Sequence, residues 1–225
     1  MRYTMAPESV LEKNAEKLVK LQEYVRKNMV QRPYHNYIHA KDAARAYAFY
    51  GEREGLSQRE IFLGISAMTA HDLICVPYAK DNEERTIEKV REVLPSLGYH
   101  PEEVDQISKI IYATKVGVQP KSLLEQIAKD SDLDHLGRGD FLKKNESLRV
   151  EWGVKEGLKW LDDTFFFMGR HRFFTKSAQA MRGEGFQQNR FMLNEMIQAV
   201  LDLAPGKAAD LSEEDYDIGS RMVAH

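Results

Sequence analysis

Apolar residues recur at helical spacing along most of the chain. Between residues 8 and 30, Leu11, Ala15, Leu18, Val19 and Val25 fall on one side of a helix. Pro33 closes that segment, because the residue before a proline disfavours helical backbone. A second helix is predicted over 37–54, with Ala40, Ala43, Ala44, Tyr47 and Ala48 on its apolar side. Ser57-Gln58-Arg59-Glu60 reads as a capping box that opens a third. The next stretch, Ile61 to Ala70, is apolar nearly all round, the mark of a central, buried helix. Asp81 to Glu84 caps a fourth helix running to about Leu97, and Gly98-Tyr99-His100-Pro101 is a turn. Pro101 suits the first position of a fifth helix over about 102–114. Residues 121–129 form a sixth, and 139–168 and 187–203 the last long ones, with Arg182-Gly183-Glu184-Gly185 as a turn between them. There is no strand-like alternation, internal repeat or low-complexity tract. The predicted class is all-α, with residues 1–204 as one domain. Residues 205–225, from Pro205-Gly206 onward, are polar and acidic and are expected to form a loosely held tail.

The buried third helix ends in His71-Asp72, and no Lys or Arg lies within six residues on either side. An isolated buried carboxylate is costly unless it is paired or bound to metal. A metal ion is one compensation, a distant Arg the other. Together with His39 and Asp132, the pair offers one metal ion two imidazoles and two carboxylates. That mixture suits a divalent transition metal that activates water better than a structural zinc, which is usually closed by thiolates. His35 precedes His39 by four residues. The Pro33-Tyr34 start puts His35 in the preceding loop and His39 in the first helical turn.

Bulk properties narrow the class. With 43% apolar and 30% charged residues and a net charge of −3, the 225-residue chain has no global electrostatic drive toward nucleic-acid polymers or anionic membranes. Its one cysteine, Cys75, cannot form an internal disulfide, which fits a reducing cytoplasm. No segment reads as a signal core or a membrane span. A cytoplasmic protein is expected, and aromatics on the outer side of the first helix would support a homodimer.

Histidine-Asn-x-x-His at 35–39, His71-Asp72 and the late Asp132 follow the H…HD…D order of the HD superfamily of metal-dependent phosphohydrolases, which this chain resembles from about residue 30 to 195. The opening motif is similar to that of cyclic-nucleotide phosphodiesterases. Residues 81–86, 113–115, 131–137 and 149–152 look more like small bacterial HD proteins. The resemblance implies an all-helical HD-domain bundle. It further implies His39, His71, Asp72 and Asp132 as ligands of one divalent ion (Mn, Fe, Co, Ni, Zn or Mg) and His35 as the acid that protonates the leaving oxygen. Asp72 would also hold the attacking water, and Glu83 would position it. Asp132 is preferred to Asp130 because it matches the family's small-residue, Asp, Leu order. Two-metal members carry extra histidines between the pair and the last aspartate. Here only His100 lies there, in a turn, so a single metal is expected.

Lys115, at the end of an apolar helix, and Arg149 are the candidate phosphate binders, although Arg149 has Glu146 and Glu151 as alternative surface partners. His135 adjoins the late aspartates without a settled role, and His171 is expected in solvent. The aromatic run Phe165 to Phe174 is assigned to the core, and Cys75 is read as a small buried apolar residue. The substrate expected by analogy is a small phosphorylated molecule, a nucleotide first. Two alternatives remain, a non-catalytic metal- and ligand-binding sensor and a di-iron oxygenase on the same fold.

Overall fold

The computed structural model describes residues 8–203. Among them are nine α-helices and no strand. They are α1 (Glu8–Asn28), α2 (Tyr37–Arg53), α3 (Gln58–Ala70), α4 (Asn82–Val93), α5 (Pro101–Thr114), α6 (Leu123–Asp132), α7 (Phe141–Glu151), α8 (Gly157–Arg170) and α9 (Lys176–Leu203). Two 3-10 turns, Leu94–Leu97 and Asp134–Gly137, follow α4 and α6. The all-α reading therefore stands. The expected tail at 205–225 lies outside the described residues.

The helix starts follow local chemistry. Ser57 and Glu60 form the capping box at α3, and Asn36 caps α2. α3 buries Ile61 to Gly64 and Ser66 to Ala70, as expected of a helix apolar on all sides. It packs against α2 and α5, and α6 closes the group. Tyr47, Ile107, Ile110, Ile111 and Ile127 fill the space between them, fully buried. The ends of α3 and α6 and the start of α2 meet at one end of this core. Residues 71–72, 132 and 39 occupy those three positions.

Two boundaries differ from the sequence reading. The stretch 139–168 is broken into α7 and α8 at Trp152-Gly153, where Gly153 takes a φ of 67°, a left-handed value that glycine adopts without strain. Conversely, 182–185 is no turn but part of the unbroken α9. Gly185 is there for a close crossing. A Cβ on it would lie 2.3 Å from the carbonyl oxygen of Gly137, so only a bare backbone lets α9 lie against the 3-10 turn.

Candidate metal centre and adjoining pocket

Asn36 sets the first part of the site. Its Oδ1 accepts from the backbone N–H groups of Ile38 at 2.9 Å and His39 at 3.1 Å. His35 thus lies before the cap, in the loop, and His39 in the first turn of α2. His71 is the C-cap of α3, Asp72 follows it, and Asp132 is the last residue of α6. Ligand atoms from His39, His71, Asp72 and Asp132 all lie within 4.8 Å of one another. His39 Nε2 is 3.1 Å from Asp132 Oδ1 and 3.3 Å from Asp72 Oδ2. His71 Nε2 is 3.1 Å and 2.9 Å from the same two oxygens.

The tautomer of His71 fits a metal ligand. Its Nδ1 is 2.8 Å from the carbonyl oxygen of Met68, which can only accept. Nδ1 therefore carries a proton, and in the neutral ring the lone pair sits on Nε2, aimed at the carboxylates. Asp72 Oδ2 is buried and makes no hydrogen bond despite its two imidazole neighbours. Four ligand atoms converge, one of them buried without a hydrogen bond, and form a set that a divalent cation would satisfy. Without a cation the compensation is protonic. Burial opposes a charged His71, yet the charges of Asp72 and Asp132 outweigh it and hold the imidazole well above the ordinary histidine range. Burial likewise opposes charge on the carboxylates, but the facing His71 leaves both depressed.

The neighbouring aspartates are engaged elsewhere. Asp130 is fully buried and accepts from Phe174 N, Thr175 N and Thr175 Oγ1 at 2.7–2.8 Å, fixing the segment before α9. Asp134 pairs with Arg182 at 2.7 Å and accepts from the Tyr50 hydroxyl. Among these three aspartates, only Asp132 reaches the histidines.

His35 stands at the edge of the cluster. Its Nδ1 is 2.6 Å from Glu151 Oε1, while Glu151 Oε2 accepts from the backbone N–H groups of Tyr34 at 3.0 Å and His35 at 2.9 Å. Burial lowers the His35 pKa, but Asp72 and hydrogen bonds with Cys75 and Glu151 override it, so the ring stays protonated well above the usual range. Cys75 is thus not an inert core residue. It is partly buried, beside His35, and lines the same cavity as Asp72, Glu83 and His135. Glu83 faces that cavity, and its carboxyl is raised by burial and by the charge of Asp72.

The two expected phosphate binders are placed differently. Lys115 Nζ is held by Glu84 Oε1 at 2.5 Å and by the carbonyl oxygen of Lys80 at 2.6 Å. Arg149 lies outside the cavity, doubly bonded to Glu146 at 2.7–2.8 Å and donating to the Val154 carbonyl. The structure does not bring Arg149 to the cluster. Its i, i+3 spacing from Glu146 on α7 makes the surface pair the local outcome.

Several residues were not foreseen in these places. Glu151 sits in a segment noted in the sequence, but its contact with His35 spans 116 positions and leaves no local signal. His135 is buried, with Nδ1 3.1 Å from the Tyr34 hydroxyl, and its pKa is pushed down to about 3 by burial and then by His39. His171 is not in solvent. It packs among Phe167, Phe173 and Phe186, and burial pushes its pKa down to about 4.

No family model matches the sequence, and no curated protein does. Solved structures share the fold. Bacillus subtilis YpgQ, solved in complex with ADP, is 19% identical and superposes with a TM-score of 0.63 over 86% of this chain and 98% of its own. A second structure of Bacillus subtilis YpgQ gives 17% and 0.59 with the same coverage. A Lactobacillus plantarum protein from structural genomics gives 14% and 0.65, over 88% of this chain and 100% of its own. At these identities the likeness is one of fold. Among the described residues no helix is long and apolar enough to cross a membrane.

Proposed function

We propose that this chain is a metal-dependent phosphohydrolase acting on a small phosphorylated molecule, with a nucleotide as the first class to test. The observation that carries the reading is the convergence of His39, His71, Asp72 and Asp132, with a buried Asp72 oxygen left without a hydrogen bond. A divalent ion held there would lower the pKa of a bound water and polarise a phosphoryl oxygen. The remaining roles fall to the chain's own groups. His35, locked through Nδ1 to Glu151, is left with Nε2 as the proton donor to a departing oxygen. Glu83 is a carboxyl inside the cavity near Asp72, suited to orient water rather than to bind phosphate. The ADP-bound state of YpgQ, on a shared fold, favours a nucleotide.

Phosphate release from nucleotides, cyclic nucleotides and phosphorylated metabolites tests this, run with Mn²⁺, with chelator and with Asp72→Ala. Metal-dependent turnover that disappears in the variant is the expected result. Metal-loaded protein without turnover on any of them would instead favour a binding module that keeps metal and ligand but performs no chemistry. The oxygenase alternative requires a second metal. Among the described residues the other group of ligand-type side chains is His35, Cys75 and Glu151, and two of those three are already spent on each other.

A further inference from the structure

A second cleft meets the first at Asp132. The two share Thr114, Leu133 and Phe167 as walls. The second has a volume of about 430 Å³ against about 170 Å³ for the cavity beside His35, and so lies within the ~300–1,000 Å³ usual for small-molecule sites. Its lining is cationic. Lys129, Arg170 and Arg172 contribute to it, and the one carboxylate among its lining residues is Asp132, a member of the metal cluster.

These cations differ from the others near the cluster. Lys115 and Arg149 are neutralised by Glu84 and Glu146. Arg170 and Arg172 have no carboxylate partner among the described residues, and Arg172 only rests over the Phe174 ring, 5.3 Å from its centroid. Lys129 is buried and donates to two backbone carbonyls, Ala113 at 3.0 Å and Lys115 at 2.7 Å. An ammonium has three N–H donors, so one remains. His171 lines the same cleft with a buried Nε2 that has no hydrogen-bond partner. A cleft with two unpaired guanidiniums, a spare ammonium donor and an orphaned imidazole nitrogen is complementary to an oxyanion.

We infer that the cleft formed by Lys129, Arg170, His171 and Arg172 is an oxyanion subsite, which receives a phosphate group of the ligand other than the one placed at the metal cluster. This deepens the proposed function and rests on it for the word "other". The anion site itself does not depend on catalysis. A phosphate there is stabilised by charge and by bidentate donation from the guanidiniums. Its link to the reacting group would pass the shared wall at Asp132.

The test is binding of inorganic pyrophosphate and of orthophosphate to the metal-free full chain in the presence of chelator, read by calorimetry. The variants are Arg170→Gln/Arg172→Gln and, as a charge-matched control, Arg59→Gln/Lys109→Gln on exposed surface far along the chain. Pyrophosphate should bind, and at least tenfold more weakly to the first double variant, with the control unchanged. Equal loss of orthophosphate binding would identify single phosphates as ligands of the same subsite. The inference is overturned if the wild-type chain does not bind pyrophosphate, or if both double variants bind it equally. Hydrolysis assays on the same chains, freed of chelator and loaded with Mn²⁺, separate the two readings. Pyrophosphate binding that depends on the arginines, in a protein with no turnover, would keep the subsite and sink the hydrolase.

Discussion

Glu151 holds His35 twice, taking a hydrogen bond from the ring Nδ1 at 2.6 Å and another from the backbone N–H at 2.9 Å. The carboxylate is nearly inaccessible, with its side chain 1% exposed, so its charge acts on the imidazole with little screening. This pair fixes where the ring points and, after the charge of Asp72, helps keep the ring protonated as pH rises.

If His35 donates the proton in turnover, activity falls as pH rises through its pKa, which the hydrogen bond to Glu151 raises. Glu151→Gln keeps a hydrogen-bonding shape but removes the charge. The alkaline limb of the pH–rate profile should then move to lower pH, and kcat should drop on the order of 10²-fold or more, the scale of general acid catalysis. A profile that keeps its alkaline limb in place would exclude this role for the pair.

Asp132 and Asp130 should separate cleanly on substitution. Asp132→Asn should remove most metal from the purified chain, measured by elemental analysis, with a modest change in Tm. Asp130→Ala leaves the Phe174 and Thr175 donors unsatisfied in a buried place. It should cost about 1–3 kcal/mol of stability per lost partner while metal content at low temperature stays near that of wild type.

Gly183 and Gly185 lie two residues apart in α9 and should respond in opposite directions. A Cβ at Gly183 meets nothing within 4 Å, so Gly183→Ala should stabilise by roughly 0.5–1 kcal/mol through helix propensity. Gly185→Ala places its Cβ 2.3 Å from a backbone oxygen that has no flexible end to yield. It should destabilise by about 1–3 kcal/mol or more. Thermal unfolding of both variants is the check.

His171 predicts an acid-sensitive term in stability. Its folded pKa is about 4, lowered first by burial and then by Lys129, against ~6.5 in an unfolded chain. Between these values the unfolded chain binds the additional proton, so stability falls as pH drops from ~6.5 toward ~4. The whole effect is at most about 3 kcal/mol, since each pKa unit is worth ~1.36 kcal/mol, and partial solvent contact reduces it. His171→Phe should flatten that portion of the denaturation-midpoint curve against pH.

The sequence discloses some of these relationships and hides others for physical reasons. His71 and Asp72 are readable because a helix apolar on all sides must be buried, and a carboxylate at its end needs compensation. The α2 start is readable because Asn36 caps locally. Arg149 takes the Glu146 pair that its spacing offers, whereas the Lys115 contact with Glu84 is hidden, because a charge in a plausible place says nothing about the carboxylate that reaches it first. Gly183 and Gly185 mislead because a glycine that permits a close helix crossing looks the same in sequence as one that makes a turn. The surroundings of Glu151, His171 and the two arginines of the second cleft emerge only when distant helices are brought together.

The aspartates of residues 130–134 also govern how the centre could come apart. Asp130 ties the end of α6 to the segment before α9, Asp132 faces the histidines of α2 and α3, and Asp134 is gripped by Arg182 from α9. No one of these ties can open by fraying, since the other two hold the same few residues of backbone. Amide hydrogens around 128–134 should therefore exchange only through global unfolding, among the slowest in the molecule. A captured ion could leave on the open side of the centre, where the Asp72 and Asp132 side chains are 19% and 20% exposed, and the backbone that held it would stay in place.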